Sequence, residues 1–349
     1  MKSRKSVNFL IVTLFSGVVL TFMIYIGLGT VFGSRLSNDG NKSFNEMFYG
    51  DKNIISVSRH VGYRLFGSVE GKNIIIGEDD WLFETVDSGN GYQRLLDYIG
   101  GNPFTEEELD AVSENLKYRT EIYERAGIEY MIIVVPDSMT VASDKVPWYL
   151  GKRSEKARLS QLSAYLSGEE TDALIDMTDV MLAESNGYAT YNNTENSINA
   201  YGAYCIYNAV ISRYLDRTGQ AVDRIHRTDI DFYTRLTDGR RIAQSAGLED
   251  TVRNRTVSLS DSMEDNYTLT YNEKGFVLTE RIDGLEGTCV VIECRDDWDR
   301  IQLTPYFSNT FDKVYYRNEL ASEPDSAAQY GADLVVQIIH ESELDVLLK

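Results

Sequence analysis

Cysteine, histidine and proline are all scarce in this chain: three, three and five residues among 349. Cys205, Cys289 and Cys294 are too few for a disulfide framework, and Cys289 and Cys294 share one extended run (TCVVIEC) at an odd offset, which turns them to opposite faces. Buried free thiols are expected. Positive charge is also short, with 34 basic against 54 acidic side chains and a formal net charge of −20. That excludes sequence-independent nucleic-acid binding, which draws its affinity from basic surface. The chain has no Cys-x-x-Cys pair, no His-Glu-x-x-His helix and no glycine-rich phosphate loop, so structural-zinc, zinc-protease and nucleotide readings fall away. No metal and no cofactor is expected. With 43% hydrophobic and 25% charged residues, the composition is that of a folded chain with a large core.

One long uncharged run is present. Residues 8–33 carry no charge and as a helix would extend roughly 39 Å, enough to cross about 30 Å of hydrocarbon. Lys2, Arg4 and Lys5 precede this run without an acid, so residues 1–7 are expected to be cytoplasmic and the rest extracytoplasmic. A cleaved signal peptide would have a shorter apolar core and an Ala-x-Ala-like exit. Gly33-Ser34-Arg35 offers neither clearly, which favours a retained single-pass anchor. The polar stretch 34–72 reads as a stalk, and 73–349 as the extracytoplasmic domain.

Within 73–349 the hydrophobic periods alternate. Asn73–Gly77 and Asp79–Phe83 read as a β-hairpin. Thr105-Glu-Glu-Glu108 caps a helix with Leu109, Val112, Leu116 and Tyr123 on one face and Gly127 as its stop. Ile128–Val135 follows as a strand apolar on both faces, which is how a strand covered by helices reads. A helix over 154–166, a strand at Ala173–Ile175 and a helix over Tyr201–Tyr214 continue the pattern. Runs at Tyr267–Tyr271 and Phe276–Glu280 look like a hairpin inserted in the domain. The end is a βαβαβ unit: Cys289–Cys294, a helix near Trp298–Thr310, Lys313–Arg317, a helix near Asp325–Tyr330, then Asp333–Ile339. The fold class is therefore α/β, a mostly parallel sheet with helices on both faces.

In such a sheet the ligand crevice lies off the carboxyl ends of the strands. Four segments belong there: Pro136-Asp137-Ser138, Thr194-Glu195-Asn196-Ser197, Arg295-Asp296-Asp297-Trp298, and His340.

Several segments, in order, resemble a known family: GEDDWLFE near Trp81, NPFTEEEL, YMIIVVPDSMTVASDKVPWYL ending at Leu150, ENSINAYGAY around Gly202, FYTRLTDGRRIAQSAGL ending at Leu248, and VVIECRDDWDRIQLTPYFSNTFDKVYY ending at Tyr316. They resemble the SGNH hydrolase-like proteins of the alginate O-acetylation (AlgX and AlgJ) type and the related DHHW proteins. The resemblance implies a flavodoxin-like sheet and a setting of cell-surface polysaccharide O-acetylation. The partners it implies are a polysaccharide and a multi-pass membrane acyltransferase.

It also implies a catalytic Asp and His in a TDHHW or TDTHW run before the Tyr-Gly-Ala helix, and a nucleophilic Ser in a turn after a strand. Counting from Tyr201-Gly202-Ala203, those Asp and His positions hold Glu195 and Ser197; counting from Val290-Val291-Ile292, the nucleophile position holds Asp297. Ser197 has no imidazole to act as base and Asp297 no hydroxyl to acylate, so a non-catalytic partner is expected. Two rescues stay open. His340 could be a relocated base serving Ser138 or Ser197, in an active esterase or O-acetyltransferase. Glu195, Asp296 and Asp297 could instead converge as oxygen ligands or as a carboxylate pair. For ligand binding, Asp296, Trp298 and Tyr201 are the candidates, the aromatic rings offering faces to sugars.

Overall fold

The computed structural model describes residues 73–349 apart from 88, 169–172, 185–186, 262, 273–274, 283–286 and 322. The expected cytoplasmic tip, membrane span and stalk lie outside the described residues. Among the described residues no helix is long and apolar enough to cross a membrane.

The chain enters through strands β1 (Ile74–Ile76) and β2 (Leu82–Glu84), paired antiparallel as the sequence suggested. A short helix, Arg94–Tyr98, leads to α1 (Glu106–Arg125). The Thr105 hydroxyl accepts from Glu108 N (3.2 Å) and the Glu108 carboxylate from Thr105 N (2.9 Å), so two otherwise orphaned amides start the helix satisfied. Gly127, at φ +72°, turns the chain out of it. Then come β3 (Glu129–Val135), a single helical turn at Ser138–Val141, α2 (Arg158–Leu166), β4 (Leu174–Asp176), α3 (Thr178–Glu184) and α4 (Ala200–Thr218).

The middle of the chain departs from expectation. It holds a second antiparallel hairpin, β5 (Phe232–Asp238) with β6 (Arg253–Leu259), and between them α5 (Arg241–Ala246). In β5 Phe232 is the one buried residue, so no alternation marks it in the sequence. The hairpin β7 (Tyr267–Asn272) and β8 (Gly275–Arg281) forms where expected but is no separate insertion. It extends the main sheet, β8 pairing antiparallel with β10.

The carboxyl-terminal part runs β9 (Cys289–Cys294), α6 (Asp297–Thr310), β10 (Lys313–Arg317), a short helix at Asp325–Ala328, β11 (Leu334–His340) and a 3-10 tail, Glu341–Leu348. The central sheet has the order β4-β3-β11-β9-β10-β8-β7, parallel as far as β10. The last strand in sequence is thus the middle of the parallel part, with every residue buried.

Alternate residues of these strands supply two cores. Met131, Ile133, Ile292, Val336 and Ile338 join Tyr207 and Val210 of α4 and Leu303 and Phe307 of α6. Ile132, Val134, Val291 and Val335 join Leu116 and Tyr123 of α1 and Leu162 of α2. Each such side chain contributes about 1.5–3 kcal/mol by leaving water. With both faces covered, the strand ends are the place left for a site. Cys205, Cys289 and Cys294 are buried free thiols.

Candidate functional site

A cleft of about 590 Å³ opens at the carboxyl ends of the parallel strands. It is lined by Glu195, Asn196 and Ser197 from the loop before α4, by Arg295–Trp298 after β9, and by His340, Ser342 and Glu343 after β11; Glu84, Asp87, Arg94 and Arg241 close its other side. Three of the four segments picked from the sequence therefore meet here. The fourth, Asp137-Ser138, lies buried just beneath.

The loop carrying Glu195 is held on all sides. It closes on itself through the bridge between Tyr191 and Ile198 and the bond from Asn199 N to Thr190 O (3.1 Å). The Asn199 side chain caps α4, accepting from Tyr201 N and Gly202 N (3.0 and 3.1 Å). Gly202 is required by the same packing: a Cβ there would lie 2.3 Å from Thr190 O. Asn193 donates to Asp80 O and Arg253 O (2.9 and 3.0 Å), and Thr194 Oγ1 donates to Asn254 (2.8 Å), which ties the loop to both hairpins. The aromatic-glycine motif is thus a rigid mount for Glu195 and Ser197.

Under the cleft runs a network of buried charge. Arg94, in the short helix before α1, pairs with Asp87 and with the fully buried Asp137. The Asn196 amide is assigned with its oxygen toward the Arg94 guanidinium (2.8 and 3.0 Å) and its nitrogen on Ser138 Oγ (2.6 Å). Glu341, just after β11, accepts from Asp137 N and Thr140 Oγ1 (both 2.9 Å) and pairs with Arg153. Burial raises the pKa of Asp137, against the pull of Arg94, and that of Glu341, against Arg153. Asp97 is pushed up to about 6 by burial and by Glu341. The only sequence hint of this network was Asp137-Ser138 at a strand end.

His340 ends β11 and is 8% exposed. Its Nε2 lies 2.7 Å from Oδ2 of Asp299, which is wholly buried, while its Nδ1 completes no hydrogen bond. Burial alone would lower the imidazole pKa, but the Asp299 carboxylate overrides it and lifts the group to about 10. Burial raises the Asp299 carboxyl as well, so the two groups hold a proton tightly between them, which makes His340 a poor general base. Asp299 had no place among the candidate residues, although it stands in the acidic run Asp296-Asp297-Trp298-Asp299.

Asp296 caps α6, its carboxylate accepting from Asp299 N (2.9 Å), and Asp297 pairs with Arg300. Burial raises the pKa of Glu195; Arg240 and Arg241 oppose this, and Asp296 and Asp299 add to it. Ser197 accepts from Asn192 Nδ2 (3.3 Å). Trp298 borders the cleft at 38% exposure. Tyr201, taken from the sequence as a ligand-binding ring, does not line it. It is buried among Tyr188, Tyr204 and Phe232, because its position on α4 faces the aromatic core. Glu195, Asp296 and Asp297 do share the cleft, yet among the described residues no group of three or more His, Cys, Asp or Glu could hold a metal ion.

The family model described as SGNH hydrolase-like domain, acetyltransferase AlgX, matches residues 74–261, more than half of the chain. The chain belongs to this family. The match takes in Glu195–Ser197 and stops before β9. Among solved structures, Bacillus cereus PatB1 superposes with a TM-score of 0.54 at 10% identity, covering 79% of this chain and 98% of that one. The O-acetyltransferase domain of Pseudomonas putida AlgJ gives 0.48 at 12% identity, covering 78% and 92%. A DHHW family protein from Eubacterium siraeum gives 0.48 at 12%, covering 77% and 94%. No curated protein matches the sequence. This member of the acetyltransferase AlgX family therefore has an α/β fold shared with PatB1, and Glu195, Ser197 and Asp297 all border its cleft.

Proposed function

We propose that this chain is a non-acylating member of the family, which binds polysaccharide in the cleft and acts beside a membrane acyltransferase in cell-surface O-acetylation. In this reading the uncharged run at residues 8–33 holds it to the membrane with the folded domain outside. The observation that carries this reading is the chemistry of the cleft wall. Where the resemblance calls for Asp, His and Ser stand Glu195, Ser197 and Asp297, and the one histidine that borders the cleft among the described residues is engaged by the buried Asp299 at 2.7 Å. Acyl transfer through serine needs a hydroxyl, a free base and an acid acting as a unit, and losing one member costs nearly as much as losing all.

The test is turnover of p-nitrophenyl acetate and of an acetylated glycan by the full chain, beside a variant with Glu195→Asp, Ser197→His and Asp297→Ser together. Background turnover by the wild type, with activity gained in the triple variant, is the expected result.

One observation favours a second reading, an active esterase or O-acetyltransferase. The His340–Asp299 contact at 2.7 Å has the form of a base with its orienting acid, and Ser197 borders the same cleft. In that case wild-type turnover stands well above background and is abolished in His340→Ala.

A further inference from the structure

Trp148 is the most exposed large apolar side chain among the described residues, at 86%, and Tyr149 beside it is 64% exposed, the two rings edge to face with centroids 6.2 Å apart. The turn that presents them is built rather than loose. Leu150 N bonds to Pro147 O (3.0 Å) and Gly151 N to Trp148 O (3.2 Å), Gly151 leaves the turn at φ +72°, and Tyr98 donates its hydroxyl to Gly151 O (3.3 Å). Leu150 packs on the core beneath, so the two rings are held outward. Ser154 N then bonds to Tyr98 O (2.9 Å), which seats the next segment on the short helix Arg94–Tyr98. That helix and its end contribute Leu96 and Ile99, both more than two-fifths exposed. Four large apolar side chains, on two segments bonded to each other, are thus left in water, which marks a contact surface.

Two observations say what covers it. The first is charge. Over residues 145–158 five basic side chains stand against one acidic, in a chain whose net charge is −20. Lys145 is taken by Asp79 and Asp144, Arg153 by Glu341 and Arg158 by Asp345, which leaves Lys152 and Lys156 exposed in this stretch against Glu155. Indole, phenol and lysine together are the set that settles at a bilayer interface, with the rings among the headgroups and the ammonium groups on lipid phosphates. The second is where the rest of the chain joins. Residues 1–72, with their uncharged run at 8–33, meet the described residues at Asn73. Asn73 O accepts from Thr85 N (2.8 Å) and Thr85 O from Leu95 N (3.1 Å), so this junction lies two hydrogen bonds from the helix that carries Leu96. Glu78 N bonds to Lys145 O (2.8 Å), three residues before Trp148.

Resting on the reading of residues 8–33 as a membrane anchor, we propose that Trp148 and Tyr149, with Leu96, Ile99, Lys152 and Lys156, dock the folded domain on the anionic headgroup surface of the membrane that holds it. Arg94 stands two residues before Leu96 and lines the cleft, so docking keeps the cleft close to the bilayer, as work beside a membrane acyltransferase requires.

The test uses the full chain reconstituted in vesicles of phosphatidylglycerol and phosphatidylcholine. Cys205, Cys289 and Cys294 are buried, so a fluorophore on Tyr149→Cys reports that position, and one on Tyr271→Cys, exposed on the edge strand β7, is the control. Quenching by a lipid with a nitroxide on its headgroup is several-fold stronger at 149 than at 271. It weakens in vesicles without phosphatidylglycerol, and falls to the control level when Trp148→Ser, Lys152→Glu and Lys156→Glu are added. Quenching at 149 no stronger than at 271, in a chain that still floats with the vesicles after a high-salt wash, overturns the docking and leaves the anchor standing. Quenching that survives the triple change assigns the proximity to the tether alone and overturns it likewise, as does a label shielded from water without quenching, the mark of a protein contact. A chain that does not float with the vesicles overturns anchor and docking together.

Discussion

The floor of the cleft and its mouth are both rich in charge, and they handle it in opposite ways. On the floor, Asp137 and Glu341 are buried and each has an arginine, Arg94 and Arg153, and Glu341 also accepts from a backbone amide and a hydroxyl. At the mouth, Glu195 has no ion pair in contact, only the more distant pull of Arg240 and Arg241, and Asp296 accepts from the first turn of α6. Charge that is buried must be compensated within the fold, because removing an ion from water costs several kcal/mol. Charge left uncompensated at an opening can persist only with water or a ligand to solvate it. The floor is therefore structural, holding together segments some 40 to 200 residues apart, and the mouth is where binding belongs.

The sharpest way to break this comparison is to remove a cation from the floor. Arg94→Met leaves Asp137 buried with no partner and is expected to destabilise the domain by about 3–5 kcal/mol in denaturant unfolding. Adding Asp137→Asn should recover a good part of that loss; if it recovers none, the cost lies in packing and the floor is not an electrostatic structure.

The dyad at the boundary gives the next effect. The pKa of His340 is near 10 in the fold against an ordinary value of 6.5, so its contribution is fully present below pH 6.5 and is lost as pH rises toward 10. Between pH 6.5 and 8.5 the loss amounts to roughly 2–3 kcal/mol. Stability measured across that window should fall in wild type and stay nearly level in His340→Gln. A wild-type profile that is flat there would show the pair to be uncharged.

The smallest effect is expected at the rim. Arg241 is about half exposed where it grips Glu84, and Arg241→Ala should cost less than about 1 kcal/mol, and less still in high salt, by the same unfolding measurement. A loss as large as that of Arg94→Met would erase the distinction between floor and rim.

How much of this was legible in the sequence differs from element to element. The capping box of α1 and the apolar runs of β3, β9 and β11 could be read directly, since each follows from a local rule of spacing. That Glu195, Ser197 and Asp297 border the cleft could be read because each follows or faces the carboxyl end of a strand, and Gly202 has a steric reason to be there. The β5–β6 hairpin could not, for β5 is largely exposed beyond Phe232 and the two buried residues of β6, Asn254 and Val257, are not two apart. Arg94 could not either: nothing near it in the chain marks it as the partner of Asp137, 43 residues away. Tyr201 shows the converse error, a residue type suited to sugars on a helix face that turns out to be core.

The sequence by itself determined the α/β class and the parallel order of helices and strands at the carboxyl end. These depend on neighbours within a few residues, where periodicity, caps and apolar runs act. Only the tertiary structure decided that β11 sits at the centre of the parallel part, that His340 meets Asp299, and which carboxylates are compensated. Those outcomes depend on where strands distant in sequence end, and electrostatic pairing at 3 Å is a property of that arrangement in space rather than of the order of residues along the chain.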